Sequence, residues 1–180
     1  MKTKILQNVK LIIGLAFILL VYPAFSQVKS GKIRIGTYDS RIITMAYSRS
    51  AFFTDLFNKV GQEYKTAKES NDTVKMKKIE IQMKTTQHLL HQRVFGTGSI
   101  SSIIDIVKDS IPLIAKRENL NLVVSKWEIP WAEKEIEMVD ITVDVGCLFV
   151  SKDKVLQFID GFKNVSPVPL EELTIEVEKY

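Results

Sequence analysis

The sequence has only one cysteine, Cys147, so no disulfide can form within the chain. It also has no internal repeat and no low-complexity segment. The folded state must therefore be stabilised by apolar burial or by oligomerisation. Cys147 stands among valines, a leucine and a phenylalanine, and this apolar setting predicts a buried, unreactive thiol.

Catalytic motifs are also missing. The two histidines, His88 and His91, share a helix face at a spacing of three, but a zinc site needs three or four ligands. There is no HExxH, no GxSxG and no glycine-rich phosphate loop. We therefore expect no catalytic residue, no metal ligand and no cofactor, and an enzyme is the least favoured class.

Long apolar runs are confined to the start of the chain. Met1–Ser26 has three lysines, then an apolar stretch from Leu11 to Val21, and ends in small residues. This is the pattern of a secretory signal peptide, with cleavage near Ser26/Gln27. A membrane anchor is the alternative, but the run is about half of the ~20 residues that span a bilayer. We predict an exported, soluble protein.

The charge is unevenly distributed. Residues 28–119 contain 16 Lys and Arg against 9 Asp and Glu, whereas residues 120–180 contain 6 against 12. The basic part can attract an anionic membrane surface or acidic proteins. An ordinary solvated helix face that packs near the acidic part explains the pattern equally well. Nucleic acid is not expected as a partner, because no aromatic and basic platform accompanies the lysines.

Apolar periodicity predicts an α+β fold. Alternation over 32–40 and apolar runs in 120–150 predict strands that form one small sheet from both ends of the mature chain. Between them, spacings of three and four predict a helical arm over 44–118, with its tip near Asn71 or near Gly96. A short helix and a proline-containing tail follow over 151–180. The predicted core of the body, or of an oligomer, comprises Ile33, Ile35, Val123, Val139 and Ile141.

The order of these segments resembles the OmpH/Skp family of periplasmic chaperones. The similarity rests on the strand KIRIGTYDS (32–40), the basic helical stretch, NLVV (121–124) and VDIT (139–142). It spans 27–150, and it implies a trimer in which β-bodies associate and helical hairpins project as arms. Such arms enclose unfolded outer-membrane proteins without ATP. The resemblance thus implies a periplasmic holdase, and a specific envelope-interaction protein on the same fold is the alternative.

The arm supplies the predicted contacts to unfolded or envelope proteins. Apolar and aromatic side chains offer diffuse contact, and lysines attract acidic clients. A simple hydrophobic core and a solvated lysine face are the alternative interpretation. The predicted contact residues are Phe53, Phe57, Lys65, Lys68, Lys75, Lys77, Lys78 and Met83.

Overall fold

The computed structural model describes residues 32–173. The predicted signal peptide (1–26) and the last residues of the predicted tail (174–180) lie outside them. The chain divides into Met1–Lys32 and Ile33–Tyr180, and the described helices and strands all belong to the second unit. The strands are β1 (Arg34–Tyr38), β2 (Leu122–Ser125) and β3 (Glu137–Asp140). The helices are α1 (Ser40–Ser48), α2 (Ala51–Glu69), α3 (Thr73–Phe95), α4 (Ser101–Ile104), α5 (Ile111–Arg117), α6 (Thr142–Gly146) and α7 (Lys152–Phe162).

The three strands form one parallel sheet in the order β2-β1-β3. Ile35 pairs with Leu122 on one side and with Met138 on the other, and Gly36 pairs with Val123 and Val139. Segments that are far apart in the chain therefore form a single sheet, and the predicted α+β fold class is confirmed.

The hydrophobic core lies between one face of the sheet and the surrounding helices. Its buried members lie on α1, α4, α5 and α6 or in the residues next to these helices, and Val123 and Val139 pack against them from the sheet. The buried set includes Ile43, Ala46, Ile103, Ile114, Ile141 and Val145. Gly36 is central to this contact, because a Cβ there would lie 2.5 Å from Leu120 Cδ1 and 3.1 Å from Ile141 Cδ1.

The helical arm is shorter than the predicted range of 44–118. The projecting part is an antiparallel hairpin of α2 and α3, from Ala51 to Phe95. Residues of α1, α4 and α5 carry core side chains such as Ile43, Ile103 and Ile114, so burial holds these helices on the body. The tip lies at Asn71, which adopts φ 54°, and of the two predicted tip positions this is the observed one. Gly96 instead ends the return helix.

One prediction about burial is wrong. Cys147 is exposed, because it follows the last residue of α6 while Val145 and Phe149 take the inward positions. Ile33 is exposed in the single chain, since it precedes β1 and lies outside the packed rows of the sheet, so it does not belong to the core of the body, and its place in an oligomer core stays a prediction. Of the other predicted core residues, Ile141 is fully buried and Ile35, Val123 and Val139 are partly buried.

We predict that Gly36→Ala lowers the free energy of unfolding by about 1–3 kcal/mol, because the added methyl overpacks the contact between sheet and core. Gly61→Ala is the matched control. Gly61 lies within α2, and a Cβ there has no neighbour within 4 Å, so this change should stabilise the protein by about 0.5–1 kcal/mol. Urea unfolding of both variants measures the difference, and equal stability of the two would contradict this packing.

Candidate functional site: an apolar groove in the helical hairpin

Capping residues fix both ends of the hairpin. Ser50 caps α2, and its hydroxyl accepts a hydrogen bond from the Phe53 amide at 3.4 Å. Asp72 caps α3, and its carboxylate accepts from the Lys75 amide at 2.9 Å. Between them the chain reverses through Asn71, a residue type that tolerates positive φ. These side chains bond backbone donors that a helix start otherwise leaves unpaired.

The distal half of the hairpin is closed. Ala67 and Ile79 are buried between the two helices. The Tyr64 hydroxyl donates a 2.9 Å hydrogen bond to Glu80 Oε1 and so joins α2 to α3. This hydrogen bond to Glu80, with a smaller contribution from burial, raises the pKa of Tyr64 above its ordinary value. The distal helices therefore stay in register without a large apolar interface.

The proximal half opens into a groove of about 310 Å³. Its floor and walls are apolar, and its polar residues are neutral apart from Lys84. The lining residues are Phe53, Leu56, Phe57, Val60, Gln82, Met83, Lys84, Thr86, Gln87 and Leu90. Leu56 is 45% exposed, Phe57 is 55% exposed and Met83 is 37% exposed. These side chains leave apolar surface open to solvent in one place, whereas scattered single exposures need no explanation.

Aromatic contacts connect the groove to the body. Phe53 of the groove meets Tyr47 of α1 edge-on, with ring centroids 5.5 Å apart. Tyr47 in turn meets Phe149 at 5.9 Å, and Phe149 meets Phe52 at 6.1 Å. Edge-to-face pairs of this kind contribute about 0.5–1.5 kcal/mol beyond their buried area. The groove wall is therefore fixed by the body, while its opening faces solvent.

The structure brings some of the predicted contact residues together and separates others. Phe53, Phe57 and Met83 line the same groove. The five predicted lysines (Lys65, Lys68, Lys75, Lys77 and Lys78) are exposed and lie in the distal half, toward the tip. Lys65 is 3.9 Å from Glu69 of its own helix. The basic surface and the apolar groove are thus neighbouring but distinct parts of one hairpin.

Sequence reasoning missed several members of the groove as site residues. Leu56, Val60 and Leu90 belong to apolar stripes whose helical spacing is the same for a core and for an open groove. Lys84 was also missed, and it is the cation at the groove. These residues can be placed opposite one another once the turn between α2 and α3 is located at Asn71.

An ionic cluster around the buried side chains of Asp39 and Arg41 lies at the carboxyl ends of the three strands. Asp39 follows β1, Lys126 and Trp127 follow β2, and Thr142 follows β3. Arg41 Nη2 lies 3.1 Å from Asp39 Oδ2, and Lys126 Nζ lies 2.8 Å from the same oxygen. Trp127 Nε1 donates to Asp39 Oδ1 at 3.0 Å. The Thr142 hydroxyl accepts a 3.0 Å hydrogen bond from the Asp39 amide.

The surroundings of Asp39 strongly favour its charged form. Burial by itself raises the pKa of this carboxyl, but hydrogen bonds from Arg41, Lys126 and Trp127 and the charge of Lys126 outweigh that effect. Together they lower the pKa from 3.8 to about 2. The Arg41 guanidinium lies between the rings of Trp127 and Phe162, at 4.7 and 5.2 Å from their centroids. Because Asp39 is paired with Arg41, Lys126 and Trp127, the cluster is best explained as a set of contacts that stabilises the fold.

We predict that Asp39→Asn lowers the free energy of unfolding at pH 7 by about 2 kcal/mol, since the lowered pKa of this carboxyl corresponds to a stabilisation of that order in the folded state. A carboxyl pKa that is lower in the folded state stabilises the fold at any pH above the pKa of the unfolded state. The loss of unfolding free energy in the variant should therefore be complete above about pH 4, and it should shrink as the pH falls through about 2. Urea unfolding between pH 2 and pH 7 measures it. Asp109→Asn, at an exposed aspartate, is the control. A deficit that does not depend on pH would contradict this assignment.

Residues 32–173 contain no group of three His, Cys, Asp or Glu side chains that could hold a metal ion. His91 packs edge-on against Phe95, with ring centroids 5.7 Å apart. None of the helices in this described range is long and apolar enough to cross a membrane. Comparison of the chain with protein-family models, with curated proteins and with solved structures finds no match.

Proposed function

We propose that the chain is exported to the periplasm and binds other proteins there, as an ATP-independent holdase for unfolded envelope and outer-membrane proteins. The observation that carries the proposal is the solvent-open apolar groove, in which Leu56, Phe57 and Met83 expose a large part of their side chains. An unfolded client presents apolar side chains that the groove can remove from water, at about 25 cal/mol per Å² buried. The resemblance to the OmpH/Skp family supports the periplasmic address and the client class.

The groove is suited to weak, adaptable contact. Its volume of about 310 Å³ is at the low end of ligand pockets, so it covers only a short stretch of a client. Met83 adapts to different shapes because its side chain is unbranched and flexible. The distal lysines add long-range attraction for acidic clients, which raises the rate of encounter more than the affinity. These features support general retention of unfolded chains.

The same fold supports a second proposal, homo-oligomerisation through the sheet. Parallel sheets are normally covered on both faces. Here Gly36, Val123 and Val139 occupy the core-facing row, and the adjacent row of Ile35, Leu122 and Met138 points to the other face. Leu122 is 53% exposed and Met138 is 41% exposed. A second copy would cover this face, and a trimer is the assembly that the family resemblance implies.

A specific envelope-interaction protein is the alternative role. Trp131 favours it, because this tryptophan is 72% exposed on the crossing between β2 and β3. Exposed tryptophans often anchor specific interfaces. The two roles differ in client range: a holdase suppresses aggregation of several unrelated unfolded proteins, whereas a specific binder suppresses none.

We predict that Leu56→Gln combined with Met83→Gln raises the chaperone concentration needed for half-suppression of client aggregation by about tenfold, because a loss of ~1.4 kcal/mol in binding is tenfold in affinity. The measurement is light scattering after dilution of a denatured outer-membrane β-barrel protein without ATP. Val74→Gln with Ile81→Gln is the matched control, since both residues are exposed apolar residues of α3 outside the groove. An equal loss of suppression in both double variants would show that the groove is not the surface that binds clients. Absence of suppression by the unmodified protein would remove the holdase function itself.

We expect the protein to sediment as an oligomer at micromolar concentration and to dissociate in the variant Leu122→Lys with Met138→Lys, because lysines on the open sheet face prevent its burial. Leu113→Lys is the control, since Leu113 is 68% exposed on α5 and is not part of the sheet. Analytical ultracentrifugation distinguishes the outcomes. A monomeric unmodified protein would disprove the proposed assembly, and an intact oligomer in the double variant would place its interface elsewhere.

A further inference from the structure

The return helix α3 carries a second set of exposed apolar side chains, on the side away from α2. Ile81 is 57% exposed and Leu89 is 41% exposed, and exposed Thr85 lies between them at a spacing of four. Ile81 and Thr85 each lie two residues from Met83 of the groove, which is about 200° around a helix. They therefore point away from α2, and we call Ile81, Thr85 and Leu89 the outer stripe.

The last described residues of the chain pack at the body end of this stripe. Gly96 follows Leu89 by seven residues, or about two turns, and so lies close to the same line along the helix. A Cβ at Gly96 would lie 2.8 Å from Leu170 Cδ2 and 3.0 Å from Leu173 Cδ1. The turn Leu170–Leu173 also contacts α3 itself. The start of the outer stripe is thus covered by leucines of the chain's own final part.

The sequence that continues from Leu173 is TIEVEKY (174–180), which lies outside the described residues. Ile175 and Val177 alternate in it with Glu176 and Glu178. Because successive side chains of an extended chain point to opposite sides, this segment has one apolar side and one acidic side when extended. Such a segment can cover an apolar stripe and keep its carboxylates at the edge.

The length of this segment matches the length of the outer stripe. Gly96 follows Ile81 by 15 residues, which correspond to about 22 Å along a helix that rises ~1.5 Å per residue. Seven extended residues span about 23–25 Å. A chain that leaves Leu173 beside Gly96 therefore reaches Ile81 with residues 174–180 alone.

Charge favours this segment over a second copy of the hairpin as the occupant. The helix α3 is basic, whereas residues 171–180 contain four glutamates and one lysine. Opposite charges of this kind favour association, while two basic helices repel each other. The basic residues of α3 are Lys75, Lys77, Lys78, Lys84 and Arg93, against the single acidic residue Glu80.

We propose that residues 174–180 dock in an extended conformation along the outer stripe of α3, with Ile175 and Val177 on its apolar side chains and the glutamates beside the lysines. The tether at Leu173 gives the segment an effective concentration of about millimolar order at the stripe, so a weak contact suffices. The inference goes beyond the proposed function, because the docking needs no client and uses a surface other than the groove.

Paramagnetic broadening of NMR signals tests this contact. Cys147→Ser removes the exposed native thiol, and Lys179→Cys then carries a nitroxide label. This label leaves Ile175, Val177 and every glutamate of the segment in place. The amide signals of the outer stripe are compared before and after chemical reduction of the nitroxide, which measures how close the segment lies.

We expect the nitroxide to reduce the amide signals of the outer stripe at least twofold. Ile175→Ser with Val177→Ser should restore them, because the apolar side of the segment is lost. Val165→Ser is the matched control, a change of an exposed valine that precedes the segment, and it should leave the signal loss as it is. Unreduced signals in the labelled protein, or an equal loss in the double variant, would overturn the proposal.

A mixed sample distinguishes docking within one chain from docking between copies. It combines isotope-labelled protein that has no nitroxide with nitroxide-labelled protein that has no isotope. We expect no loss of outer-stripe signals in this mixture. A twofold loss there would assign the stripe to the segment of another copy and would overturn docking within the chain. No client is present in these samples, so the outcome is separate from that of the holdase assay.

Discussion

The rest of the structure depends on the contacts that the Asp39 carboxylate makes. It lies where the central strand ends, and it simultaneously caps α1, accepts from Arg41 and binds the Lys126–Trp127 segment that leaves β2. The exit of β3 is tied to the same residue through Thr142. In parallel sheets this end commonly holds a ligand anion at a helix N-terminus. Here the chain supplies its own anion, so the position contributes order to the fold, and the apolar groove is a separate surface.

The apolar groove forms because the two halves of the hairpin pack differently. The distal half is closed by Ala67, Ile79 and one tyrosine–glutamate hydrogen bond, which is a small interface for two helices of 19 and 23 residues. The proximal half is fixed by aromatic contacts to the body but splays enough to expose Leu56 and Phe57. A hairpin with this little internal burial gains much of its order from its base. The groove lies at that ordered base, beside side chains that the body holds in place.

Sequence alone predicted the elements of this fold better than their arrangement. Alternation in KIRIGTY and apolar runs near residues 122 and 139 located all three strands, because period-two patterns survive in a half-buried sheet. Their parallel pairing has no local signal. The arm was predicted too long because Ile43 and Ile103 follow the same helical spacing whether a helix projects or packs. For the site, Phe53, Phe57 and Met83 were identified, but Lys84 and Leu90 required knowing which residues face each other across the turn at Asn71.

The uneven charge of the chain also has a structural explanation. Apolar surface left open on a soluble protein promotes its own aggregation. The distal lysines surround the exposed tip residue Val74 with like charge, and the groove carries Lys84. Like charge of this kind disfavours contact between the distal halves of two hairpins and favours contact with an acidic surface. The excess of basic residues in the first part of the chain thus places like charge next to the apolar groove, whereas the open face of the sheet is formed by β1 together with β2 and β3 from the acidic part.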